Sequence, residues 1–104
     1  ANSTWVHVDN TGDAAATNSQ ADHTKIVDKN QFADPAVLYV KNTSAYSSTV
    51  NIAYLYYDNH GAEDVIELRG GQFAYIPMVT TNNLWAYTST AATIIESMVV
   101  GTNA

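Results

Sequence analysis

The densest group of side chains that could do chemistry is Asp58-Asn59-His60-Gly61, with Glu63 and Asp64 just behind it. Carboxylates, an amide and an imidazole so close together are donors for calcium or a transition metal. The run lacks the alternating Asp/Asn spacing and the terminal bidentate glutamate of an EF-hand-type loop. Asn59 and Gly61 also suit the positive φ of a tight hairpin. The expectation is a solvated turn, with no metal site and no cofactor. His7 and Asp9 lie on one face of any strand that contains them, which invites a proton relay. No nucleophile accompanies them, since the chain has no cysteine and no serine in a Gly-x-Ser-x-Gly turn. Glu67 and Glu96 would serve glycoside hydrolysis only if the fold set them across one cleft. Both lie in strand-like runs, where facing solvent or pairing with Arg69 or a lysine is the simpler role. No catalytic residue is assigned, and the chain is read as non-enzymatic.

The aromatic side chains carry more information. Tyr39, Tyr54, Tyr56, Tyr57, Tyr75, Trp85 and Tyr87 all fall in strand-like runs. Aromatic rings stack on sugars, fill protein interfaces, or pair within a core. Alternation through Thr49–Tyr57 puts Val50, Ile52, Tyr54 and Tyr56 on one face, expected to be core. Asn51, Ala53, Leu55 and Tyr57 share the other. Tyr57 and one of Tyr75 or Tyr87 are expected to reach the surface.

These side chains need elements to hold them, and the elements are short apolar runs: AVLYVKN, TVNIAYLYY, DVIELR, GGQFAYIP, NLWAYT and ATIIESMVV. Val, Ile, Tyr, Phe and Trp dominate them, and Asn, Gly, Pro, Ser or Asp ends each one. Asp34-Pro35 precedes the first. Gly70-Gly71 reads as a hairpin-like junction, and Pro77 should end a strand or lie at a sheet edge. Strands recur about every ten residues, the spacing of an all-β fold. The fold class expected is a single antiparallel β-sandwich, jelly-roll or Ig-like, of about seven or eight strands. Residues 33–104 form its body. Residues 1–32 form an extended N-terminal arm and edge strand: Trp5–Val8 is a short strand candidate, Asp9–Asp22 a polar run without periodicity, and His23–Val27 an edge strand.

Composition narrows the partners. The chain has 104 residues, 13% of them charged, and a net charge of −6. Its four cations, Lys25, Lys29, Lys41 and Arg69, are scattered, so neither nucleic acid nor an anionic membrane is an expected partner. No apolar run approaches the length of a spanning helix, and ANSTWVHV has neither the basic nor the long apolar region of a signal peptide. At this length about two-thirds of the unfolded surface can be buried, enough for one core without disulfides.

Three segments, VLYVKNTS at Val37–Ser44, VIELRGGQFAYIP at Val65–Pro77 and LWAYTSTAATIIESMVV at Leu84–Val100, occur in an order that resembles small virion proteins of tailed bacteriophages. The likeness is chiefly to head decoration (cement) proteins and related tail or fibre modules. The resemblance covers the last two-thirds of the chain and implies a compact β-sandwich on the capsid surface of the virion. It implies the major capsid protein as partner, together with self-association, a homotrimer favoured over a dimer. Contacts are expected from Trp5, His7 and Asp9 in the arm, and from Tyr46, Tyr57, Trp85 and Tyr87 on the body. The alternative expectation is a carbohydrate-binding tail-fibre or receptor-binding module, with Trp85 stacking on host glycans.

Overall fold

The computed structural model describes residues 23–58, 66–88 and 93–103, together with the backbone of 2–8; the other residues lie outside the described set. Among the described residues the chain is all-β. Eight strands, β1 (Asn2–Val8), β2 (Thr24–Val27), β3 (Val37–Asn42), β4 (Ala53–Tyr57), β5 (Ile66–Leu68), β6 (Phe73–Pro77), β7 (Leu84–Thr88) and β8 (Thr93–Val100), form two four-stranded sheets. The first has the order β1-β8-β3-β6 and the second β2-β7-β4-β5, every neighbour antiparallel.

The pairing has a simple logic. β1 pairs with β8, β2 with β7, β3 with β6 and β4 with β5, as if one long antiparallel ribbon were doubled back between β4 and β5 and wrapped on itself. The β3–β8 and β4–β7 ladders then close each sheet. This is the jelly-roll order, and it decides between the two sandwich types expected from the sequence. Successive strands mostly change sheets, which corrects the reading of Gly70-Gly71 as a hairpin. β5 pairs with β4 in the second sheet and β6 with β3 in the first, so the glycine pair makes a corner between sheets. Turn residues mark where a chain bends, but not which strand it meets afterwards.

The core lies between the sheets. Leu38, Val40, Ile95 and Val99 enter it from the first sheet, and Leu55, Leu68, Leu84 and Ala86 from the second. Each comes from alternate positions, as pleating requires. β6 shows the pattern most clearly: Phe73, Tyr75 and Pro77 are exposed and Ala74 and Ile76 half-buried, as its alternation predicts. β6 is also an edge strand, which suits a proline that cannot donate to a ladder. β2 is likewise an edge strand, as expected for HTKIV.

Trp5–Val8, expected as a short strand in the N-terminal segment, lies in β1 at the edge of the first sheet, in register along β8 with Trp5 opposite Glu96 and His7 opposite Ile94. Asp9 lies outside the described residues. One expectation changes. Tyr57 was expected at the surface and is 3% exposed, within the core cluster, its hydroxyl accepting a hydrogen bond from the Val79 N–H. The alternation within β4 is the expected one, with Ala53, Leu55 and Tyr57 on one face, but that face is the inner one; Tyr54 and Tyr56 take the other face, and Val50, expected in the core, is exposed.

Candidate docking surfaces

Glu67 and Glu96 turn away from the core on different sheets, so the sandwich separates them instead of pairing them across a cleft. Glu67 takes the Arg69 guanidinium at 3.4 Å, the pairing its sequence position suggested. Of the polar run considered for metal binding, only Asp58 lies among the described residues; Asn59, His60, Gly61, Glu63 and Asp64 lie outside them. The Asp58 carboxylate accepts hydrogen bonds from Trp85 Nε1 at 2.5 Å and from Asn83 Nδ2 at 2.7 Å. Its role here is to tie the end of β4 to the start of β7.

Trp85 is correspondingly constrained. Its indole N–H is taken by Asp58, and Lys25 Nζ sits 5.6 Å from its ring centroid in a cation–π contact. Lys25 also pairs with Asp28 at 2.8 Å. One face of the ring expected to stack on sugar is thus occupied by a neighbour. Tyr87, another expected contact, is buried at 6% exposure. It stacks on the His23 ring at 4.6 Å and on Tyr54 at 5.0 Å, while Tyr56, fully buried, hydrogen-bonds His23 Nδ1. These rings lie on the side of the second sheet opposite the core cluster. Both faces of β4 and β7 therefore carry packed apolar side chains, as their unbroken apolar runs AYLYY and LWAYT allow.

The exposed apolar surface lies on the outer face of the first sheet, and register sets it out in rows. Pro77, Val37 and Val100 share one level, Tyr75, Tyr39 and Met98 the next, and Phe73, Lys41 and Glu96 the third. Tyr75 is 63% exposed and Phe73 59%, although both contact Tyr39, at centroid distances of 5.0 and 6.2 Å. Val37, Ile94 and Val100 extend the patch. Sequence alternation placed Phe73 and Tyr75 together, but only the β3–β6 and β3–β8 ladders add Tyr39, Met98 and Val100. Lys41 and Glu96 are the charged residues of this face among those described, and they are direct cross-strand partners.

The chemistry of this face appears in Tyr39. Its phenol ionises above its ordinary value of 10.0, first because the packed face strips water from it, then because the negative charges of the Glu96 carboxylate and the Tyr75 phenolate oppose a charge on it. The folded chain prefers the neutral phenol. Its contribution to stability is complete below the pH at which an unfolded tyrosine ionises and is lost as pH rises through the higher folded value. In an alkaline absorbance titration, Tyr39→Phe should remove a late-ionising phenolate; loss of an early one instead would contradict this assignment.

A second exposed surface is the connector 43–52, between β3 and β4. Tyr46, one of the expected contact residues, is 68% exposed there and Val50 41%. The connector is pinned from two directions. Asn42, fully buried, donates from Nδ2 to the Asn51 and Leu68 carbonyls at 2.7 and 2.9 Å, and its Oδ1 accepts from the Ser44 N–H at 3.0 Å. The Ser44 contact is the local cap expected of an asparagine at a strand end. On the other side, Gly70 lies directly against the backbone of Ser44 and Ala45. No protein-family model matches the chain, and no curated protein matches it.

Proposed function

We infer that this protein is a non-enzymatic structural module of a virion, a decoration or cement protein of a tailed-phage head that binds across neighbouring capsid subunits. The observation that carries the reading is a pair of separate exposed surfaces on one small sandwich: the outer face of the first sheet, where Phe73 and Tyr75 stand more than half exposed, and the connector that carries Tyr46. Contiguous exposed apolar surface of this kind marks a docking site. Interfaces favour aromatic rings because they add contact area at low entropic cost. A fastener needs a second contact, and the pinned connector bearing Tyr46 supplies one. Jelly rolls recur in virus shells, although the fold alone does not fix a function.

The test is reconstitution on heads stripped of the protein. Adding the purified chain should restore occupancy at defined lattice positions and raise the temperature at which the heads rupture. Tyr46→Ala should reduce occupancy by about tenfold, the size of effect expected when one aromatic anchor is lost. Heads that neither bind the chain nor gain resistance would sink the reading. The jelly roll is also a lectin fold, and the exposed pair Phe73 and Tyr75 suits a sugar platform better than Trp85 does. Glycan binding abolished by Tyr75→Ser, without attachment to heads, would favour a receptor-binding module.

A further inference from the structure

We propose that the outer face of the first sheet binds the same face of a second copy, in a two-fold dimer whose axis runs along the strands between β3 and β8. This inference rests on reading that face as a docking surface and names its occupant. The β3–β8 register sets Lys41 level with Glu96, Tyr39 with Met98 and Val37 with Val100. A two-fold axis lying between the two strands and parallel to them carries β3 of one copy over β8 of the other. Lys41 then lies over Glu96 of the second copy, and Glu96 over its Lys41. Tyr39 meets Met98, Val37 meets Val100, and β6 passes over β1. The face is its own complement in charge and in shape class, as an isologous contact requires.

Charge also selects the occupant. Each copy carries a net charge of −6, so contact between arbitrary surfaces of two copies is repulsive. The patch centred on Lys41 and Glu96 is locally neutral, and only this alignment opposes each charge with its opposite. The dimensions set the strength. Four strands at a spacing of about 4.8 Å, overlapping over about 20 Å, give a flat footprint on the order of 400 Å² per copy. Side-chain relief brings the paired total to the lower end of specific interfaces, at about 1,000 Å². A micromolar, concentration-dependent dimer is expected, and the geometry fits a two-fold better than the trimer that the resemblance implied. The connector carrying Tyr46 belongs to a different part of the surface and stays available to a larger neighbour.

The experiment is sedimentation equilibrium of the full chain and two charge-reversal variants. The wild type should pass from monomer to dimer as concentration rises. Lys41→Glu and Glu96→Lys should each weaken self-association by about tenfold or more, because each sets like charges opposite each other. An equimolar mixture of the two variants should recover wild-type affinity as a heterodimer. In that pair the carboxylate introduced at position 41 meets the ammonium introduced at position 96, and at the symmetric contact the native Lys41 meets the native Glu96. Repacking within one copy cannot produce that recovery, and far-ultraviolet circular dichroism of each variant establishes that it is folded. A wild type that stays monomeric, a trimer, or a mixture no tighter than its components would overturn the proposal. A monomer that still occupies heads would do so without touching the head-binding reading.

Discussion

Asn42→Ala is expected to lower stability by about 3 kcal/mol, and with it the melting temperature by on the order of 10–20 °C for a domain of this size. The side chain has no exposed surface and hydrogen-bonds in four directions: to the Asn51 and Leu68 carbonyls, from the Ser44 N–H at 3.0 Å, and from Thr93 Oγ1 at 3.4 Å. An asparagine amide offers two donors and two acceptor positions, and all are used here. Removing it leaves the buried Leu68 carbonyl without this donor and the part-buried Asn51 carbonyl and Ser44 N–H without theirs, and a stranded buried group costs more than the bond itself contributed. The network joins the end of β3 in the first sheet to Leu68 of β5 in the second, so its loss loosens the contact between sheets as well as the connector.

Two companion variants separate hydrogen bonding from volume. Asn42→Asp keeps the size and the acceptor for Ser44, but sets a carboxylate against two carbonyl oxygens. It should be worse than alanine at neutral pH and should improve as the solution is acidified and the buried carboxyl takes up a proton. Thr93→Val should cost only about 1 kcal/mol, because its bond to Asn42 is long and its other partner, Ser44, keeps access to water. Chemical denaturation of the three variants measures the order. Asn42→Ala falling within about 0.5 kcal/mol of wild type, the range of an ordinary surface substitution, would refute the buried-network account.

Asn42 also shows how far the sequence could be read. Its local half, the bond to Ser44 two residues on, follows from asparagine's habit of bonding nearby backbone. Its long-range half, to Leu68 and Thr93, depends on which strands become neighbours, and nothing near residue 42 encodes that. β6 was legible because an edge strand with one face in solvent must alternate, and Phe73-Ala74-Tyr75-Ile76-Pro77 does. On β4 the alternation was legible but the inner face was not, because both of its faces carry apolar residues. Tyr57 was therefore expected at the surface, and the structure buries it; of Tyr75 and Tyr87, one of which was expected at the surface, Tyr75 is exposed and Tyr87, also expected as a contact, is buried. The exposed face was half visible: Phe73 and Tyr75 from their own strand, Tyr39, Lys41, Glu96 and Val100 only once the jelly roll set β3 between β6 and β8.

Gly70→Ala is expected to be about as damaging as the loss of Asn42, by a different route. A Cβ at Gly70 would lie 2.1 Å from the Ala45 carbonyl oxygen and 2.6 Å from that of Ser44, both backbone atoms. No rotamer change relieves such a contact, so either the 43–52 connector or the β5–β6 corner must move. Forced overpacking of this kind costs about 1–3 kcal/mol and more where backbone shifts. Gly71, one residue on, is the control. Its φ is 81°, and a Cβ there meets nothing within 4 Å. Gly71→Ala should carry only the left-handed penalty of about 1–2 kcal/mol. Two adjacent glycines thus serve two purposes, one conformational and one a matter of space. Because Ala45 precedes the exposed Tyr46, a Gly70→Ala chain that still folds should bind stripped heads poorly while keeping wild-type self-association through the distant sheet face. Denaturation curves, head occupancy and sedimentation read the three effects separately. Gly70→Ala as stable as Gly71→Ala would mean that the corner does not hold the connector.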